Sequence, residues 1–260
     1  MDRRDFLRKS AAFLLGSFFG FHGLSRAFAF DNHLPHSNQL PRIAMIIDDI
    51  GLTLSAARQF LQFGVPITFA ILPRLAKSEE AALEIHAQGH QIMLHQPMEP
   101  LNGDLDPGPG ALYVGDEVSR IVSVLAENIA QVPFAEGVNN HMGSRFTASG
   151  KEVHEALCVV KEKGLFFVDS LTSNRSKAYK TARELHMPAA YRNIFLDNHL
   201  ESEYILRQLR RLKNIALNYG HAIGIGHPFP ETARAIGLFL KDMEDSGISL
   251  VHASDLVLTA

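Results

Sequence analysis

The sequence predicts an α/β fold, a single distorted parallel β/α barrel of seven or eight strands, on three observations. The first is a run of five apolar residues, Ile43 to Ile47, that stops at Asp48 and Asp49 and is followed by Ile50 and Gly51. An apolar run without alternation is the pattern of a strand buried on both faces, as in a parallel sheet covered by helices. The second is a regular exchange of strand-like and helix-like stretches from there to the C-terminus, which implies βαβ units. The third is that Asp or His recurs where the strand-like runs stop. In such folds ligands gather at the carboxyl ends of the strands. Periodicity alone also allows an open sheet.

Residues 1–29 read as an export signal rather than as fold. Arg3-Arg4-Asp5-Phe6-Leu7-Arg8 precedes an apolar region, 11–21, and then Ala27-Phe28-Ala29, which gives a basic segment, a short apolar segment and a small-x-small cleavage site. The paired arginines followed by Phe-Leu resemble a twin-arginine signal. The apolar region is short and interrupted by Gly16, Gly20 and Gly23, so the expectation is cleavage near Ala29 and no membrane span in the mature form. That implies an exported protein, periplasmic or extracellular. Residues 30–41, with two prolines, read as a flexible leader, and 42–260 as the barrel domain, enough chain for one sizeable core.

The export segment carries five basic residues against two acidic ones, so a whole-chain charge of −3 leaves the mature chain near −6. An acidic domain argues against nucleic acid as a partner. With Cys158 as the one cysteine, no intramolecular disulfide can form.

After the first strand, helical spacing of Ala56, Phe60 and Phe63 predicts a helix over 55–63, closed by Gly64. An apolar strand follows over 65–72, stopped by Pro73. A helix over 78–88 ends at Gly89, and a strand over 91–94 ends at His95. The stretch 96–115, rich in Pro and Gly, reads as a long loop, with Asp116 capping a helix to about Ala130. Strand 135–140 ends at His141, helix 151–163 leads to strand 165–168, and that strand ends at Asp169. Helix 176–185 precedes a strand over 190–196 ending at Asp197. Helix 201–219, strand 222–226 ending at His227, helix 231–246 and strand 248–252 complete the series.

If these strands are parallel, Asp48, Asp49, His95, His141, Asp169, Asp197 and His227 converge on one rim. Each has a plainer reading: a helix cap for Asp49, a loop histidine for His95, an asparagine-stabilised turn around His141, simple strand termination at His227. The glycines before His227 are expected to leave room there for a ligand. Pro97 and Pro100 stiffen the segment that carries Glu99. A carboxylate and two imidazoles from separate strands suit a divalent transition metal with positions left open. A second carboxylate beside them can take a proton from metal-activated water, and a histidine across the site can protonate a leaving group. No G-x-S-x-G elbow is present and Cys158 falls within a helix, so nucleophilic catalysis is the weaker reading.

From about Arg42 onward the chain resembles the divergent polysaccharide deacetylases, a branch of the superfamily named for the NodB homology domain. The resemblance rests on IIDDIG, LHQPMEP, NNHMGSRFT, FFVDS, FLDN and IGHPFPET in that order. It implies a distorted β/α barrel and metal-dependent removal of N- or O-linked acetyl groups from carbohydrate, with zinc as the expected metal. By the same resemblance Asp48 is the base, Asp49 a metal ligand and His227 the general acid. Asp169 resembles the carboxylate that orients this machinery, with Asp197 a second candidate for a related role. The family pattern H-[ST]-x-x-H is not kept after His95, where Glu99 stands in place of the second histidine, so His141 is assigned as the third ligand. Arg145 is a candidate for the family's arginine, and Glu99 and Asn140 for substrate or supporting contacts. The expected partner is a polysaccharide or glycan, although a chain with no Trp and 5 Tyr offers few stacking platforms beyond its 17 Phe. The alternative is a non-catalytic envelope module on the same barrel that binds glycan or a protein partner.

Overall fold

Every strand pair in the sheet is parallel. The computed structural model describes residues 40–243 and 246–258. The expected export signal at 1–29 and most of the leader at 30–41 lie outside the described residues. In chain order the elements are β1 (Arg42–Ile50), α1 (Leu54–Leu61), β2 (Thr68–Ile71), α2 (Ser78–Ala87), β3 (Gln91–Met98), α3 (Val118–Ala130), β4 (Ala135–Met142), α4 (Gly150–Glu162) and β5 (Phe166–Asp169). They continue with α5 (Ala178–Glu184), β6 (Ala189–Tyr191), β7 (Ile194–Phe195), α6 (Ser202–Tyr219), β8 (His221–Gly226), α7 (Pro230–Lys241) and β9 (Ser249–Val251), with 3-10 turns at Phe146–Ala148 and Ala253–Leu256.

Local chemistry sets several boundaries. Pro230 occupies the first turn of α7, where its missing N–H costs nothing. Gly220 ends α6 with φ 83°, and its N–H bonds back to Ala216. Asp116 does not cap α3: Glu117 holds that position, while the Asp116 carboxylate accepts from Tyr113 N–H and pairs with Arg120.

The sheet order is β6-β5-β4-β3-β2-β1-β8-β7, with β9 beside the start of β1. The single strand expected over 190–196 is therefore two strands on opposite edges of the sheet, which brings the total to nine. Arg192 and Asn193 carry the chain across the gap. Arg192 N–H donates to Asp169 on the β5 side, and Asn193 exchanges hydrogen bonds with the Ile223 backbone on the β8 side, one of them through its side-chain carbonyl. The barrel is thus closed by two residues of chain instead of a ladder, and that is its distortion.

Alternation along the strands separates two cores. Ile43, Met45 and Ile47 face the helices, while Ala44 and Ile46 face inward with Ala70, Met93, Phe166, Val168, Ala190, Ile223 and Ile225. The base of the barrel is plugged by the last 3-10 turn, whose Ala253 and Leu256 join the inner cluster. Its free N–H groups find Thr68 Oγ1 and Gln91 Oε1 at the starts of β2 and β3. The interior is filled, so the opposite end, at the strand C-termini, is where chemistry has room.

Gly137 is a packing requirement of that interior. A Cβ there would stand 2.5 Å from Phe166 Cζ. Gly137→Ala is expected to lower stability by about 1–3 kcal/mol through overpacking, read as a drop in midpoint on chemical denaturation. Unchanged stability would mean that the Phe166 ring moves aside freely.

Candidate functional site

The mouth of the barrel is built by carrying the inward register of each strand one step further. On β1 the inward positions 44 and 46 continue to Asp48, on β3 Met93 continues to His95, on β4 Gly137 continues to Asn139 and His141, and on β8 Ile225 continues to His227. Asp49 should by the same rule face the helices. It does not, because the β1–β2 pairing slips between Ile47 and Ile50 and Asp49 adopts φ 59°. This bulge turns two consecutive carboxylates toward one mouth, using a left-handed conformation that Asp tolerates better than most residues.

Three donor atoms meet there. Asp49 Oδ1 lies 3.0 Å from His141 Nδ1 and 3.2 Å from His95 Nε2, and the two ring nitrogens are 3.1 Å apart. Ligands ~2.0–2.1 Å from a zinc-sized ion stand about 3.0–3.4 Å from one another, so the triangle has the size of one face of a coordination sphere. Both rings approach Asp49 Oδ1 without an aligned hydrogen bond, and this buried oxygen and His141 Nε2 have no hydrogen-bond partner among the described residues. A convergent carboxylate and two imidazoles, one oxygen of it unsatisfied, fit a divalent cation. Asp49, His95 and His141 can hold one.

Beside this triangle Asp48 Oδ2 lies 3.6 Å from His95 Nε2. Asp48 Oδ1 accepts from Asn139 Nδ2 at 2.8 Å, and the other end of that amide faces His95 Nδ1 at 2.7 Å. Burial raises the Asp48 carboxyl above its ordinary value although His95 and His227 oppose this. Burial would raise Asp49 also, but His141 and His95 beside it hold it well below the usual carboxylate range. Two adjacent acids are therefore driven apart in proton affinity.

His227 is held by Asp197. Its Nδ1 lies 2.9 Å from Asp197 Oδ1, while its backbone N–H and Thr232 Oγ1 both donate to Asp197 Oδ2, at 2.6 and 2.8 Å. Burial disfavours the charged ring, yet the Asp197 carboxylate pushes His227 up to about 10. Phe195 and Phe229 flank the ring, and Arg192 lies 3.7 Å over the Phe195 face. The glycines of β8 do not open ligand space as expected. A Cβ on Gly224 would meet Leu212 of α6 at 2.7 Å, and one on Gly226 would crowd Thr232 and Asp197.

The remaining sequence candidates serve the surrounding loops. Asp169 follows Phe167 on the outward face, where it accepts from Ser176 Oγ and from the backbone N–H groups of Leu171 and Tyr179. Asn140 bonds Met142 O and Ser170 N–H, tying β4 to the loop after β5. Glu99 accepts from Arg145 and from Val114 N–H, and Arg145 is half exposed. Sequence reasoning missed Asn139 and Arg192. Asn139 is signalled by its place two residues before His141 on one strand face. Arg192 carries no such mark: it is set by the gap crossing, bonds the carbonyls of Ser170 and Leu171, and is brought down to about 10 by burial, against the pull of Asp169 and Asp48.

Comparison with known proteins agrees with this architecture. A protein from Escherichia coli K12, described as uncharacterized protein YibQ, is 31% identical over 222 residues, covering 83% of this chain and 67% of its own. The crystal structure of the uncharacterized protein ATU2773 from Agrobacterium tumefaciens superposes with a TM-score of 0.79 at 27% identity, covering 86% of this chain and 92% of that one. At the level of fold alone, a mutant of BA3943 from Bacillus anthracis, a family 4 carbohydrate esterase pseudoenzyme with restored activity, matches with a TM-score of 0.51 at 15% identity over 85% of this chain and 68% of that one. The sequence model of the divergent polysaccharide deacetylases matches residues 45–257, and the chain belongs to that family.

Proposed function

We propose that this protein is an exported, metal-dependent deacetylase acting on a cell-envelope or extracellular polysaccharide. The observation that carries the reading is the triangle of Asp49, His95 and His141, flanked on one side by the raised carboxyl of Asp48 and on the other by the Asp197-held ring of His227. A divalent cation, with zinc the first choice for one carboxylate and two imidazoles, supplies Lewis acidity when bound. Asp48 accepts a proton as water adds to the acetyl carbonyl carbon. His227, protonated at neutral pH, gives a proton to the departing sugar nitrogen or oxygen as the carbon–heteroatom bond breaks, and acetate is released. The twin-arginine-like signal supports delivery of the folded, loaded domain across the inner membrane.

Three substitutions test the triangle. Asp49→Ala, His95→Ala and His141→Ala are each expected to lose the near-stoichiometric zinc of the mature wild type, measured by elemental analysis. Asp48→Asn is expected to keep the zinc and lose at least ~10²-fold in turnover of an acetylated glycan. A wild type that cannot be loaded sinks the hydrolase mechanism and leaves the glycan- or protein-binding module as the better reading.

The His227–Asp197 pair predicts a pH dependence with a defined sign. Its folded pKa of about 10 lies above the ordinary 6.5. The pair's contribution to stability is therefore complete below about pH 6.5 and is lost as pH rises through about 10. In the metal-free protein, NMR titration of His227 should show a midpoint near 10, and Asp197→Asn should bring it down. A midpoint unmoved by that change would remove Asp197 as its cause.

A further inference from the structure

We infer that Asn139 is the positioning residue that joins the two halves of the site, fixing which nitrogen His95 offers to the cation and holding Asp48 as the base. This rests on the deacetylase reading for its second half and on geometry alone for its first. The Asn139 amide is wholly buried and has one end on each group: Nδ2 donates to Asp48 Oδ1 at 2.8 Å and Oδ1 faces His95 Nδ1 at 2.7 Å. A carboxylate oxygen only accepts, so the amide nitrogen must be the end at Asp48. The carbonyl is then the end at His95, and it requires a proton on Nδ1. The lone pair of the neutral ring is left on Nε2, the atom that stands 3.2 Å from Asp49 Oδ1 and 3.1 Å from His141 Nδ1. A remote acceptor of this kind orders a ligating imidazole and raises its basicity.

The placement follows from the sheet. His95 and Asn139 are register partners on β3 and β4, and both point inward. Asp48 reaches the same level from β1. The amide spans the inside of the barrel between them, and a shorter or apolar side chain at 139 would reach neither.

Two substitutions separate the two bonds. Asn139→Leu, close in size, removes both. Asn139→Asp keeps an acceptor for His95 Nδ1 and replaces the donor facing Asp48 with a second carboxylate. Zinc affinity is measured by competition with a chromogenic chelator, and turnover on 4-nitrophenyl acetate and an acetylated chitooligosaccharide at saturating zinc. Circular dichroism and thermal unfolding of the metal-free forms confirm folding. Asn139→Leu is expected to weaken zinc ten- to a hundredfold. Asn139→Asp is expected to bind zinc within about threefold of wild type yet lose more than tenfold in kcat, since the acceptor for His95 stays while Asp48 exchanges its amide donor for an acidic neighbour. Zinc bound by Asn139→Leu as tightly as by wild type overturns the inference, as does equal loss of zinc in both variants. A wild type that binds zinc and hydrolyses neither probe counts against the deacetylase reading, while the zinc affinities still decide the His95 half.

Discussion

Two adjacent carboxylates at the end of a strand sealed on both faces are the constraint from which the rest of the mouth follows. Removing a carboxylate from water costs several kcal/mol unless donors or a cation replace the water. Asp48 is 2% exposed and receives one amide donor and two nearby imidazoles. Asp49 turns one oxygen into a buried corner where two rings approach it and neither donates well. A protein that needed only stability would place apolar groups there. The arrangement makes physical sense as a binding corner for positive charge, with the local backbone held in a left-handed bulge to aim it.

The same constraint accounts for the closed base. The inner cluster and the C-terminal turn fill the lower barrel, so the carboxylates rest on packed apolar side chains from below. Charges at the mouth therefore interact through a medium of low polarisability on one side. Neighbouring groups consequently shift one another strongly there: His227 upward through Asp197, Asp49 downward through His141 and His95.

Much of this was legible in the sequence. The strand–helix order, the parallel sheet and the placing of Asp48, His95, His141, Asp197 and His227 toward the carboxyl ends of strands follow from apolar runs and their terminators. β3, however, does not stop at His95 as expected but runs on to Met98 through the start of the predicted loop. What counting strand ends left out is parity. Val168 faces in, so Asp169 faces out and serves the loop before α5; Phe195 faces in, so Asp197 does too and reaches His227. The two acids look alike as strand terminators, and only their register separates them. Other features depend on tertiary closure and leave no local signal. The stretch 190–196 is continuous and apolar enough for one strand, but the barrel needs the chain to leap from one edge of the sheet to the other at Arg192 and Asn193. The bulge at Asp49 is similarly a matter of pairing with β2.

Taking the second imidazole from β4 rather than from the segment after His95 changes how the site is held. His95 pairs in register with Asn139 and His141 with Pro97, so the two imidazoles lie diagonally across the longest ladder of the sheet and their rings converge to 4.9 Å. The backbones that carry them are then fixed by a ladder of hydrogen bonds and not by the conformation of one loop. The segment 96–99 ties down the rim instead. Gln96 bonds Pro97 O, Gly110 O and Asn128, while Glu99 accepts from Val114 N–H and Arg145. The long loop between β3 and α3 is thereby pinned from inside at 110 and 114. The second imidazole of the triangle thus stands on a paired strand, and Glu99, four residues after His95, serves as the clasp of the rim.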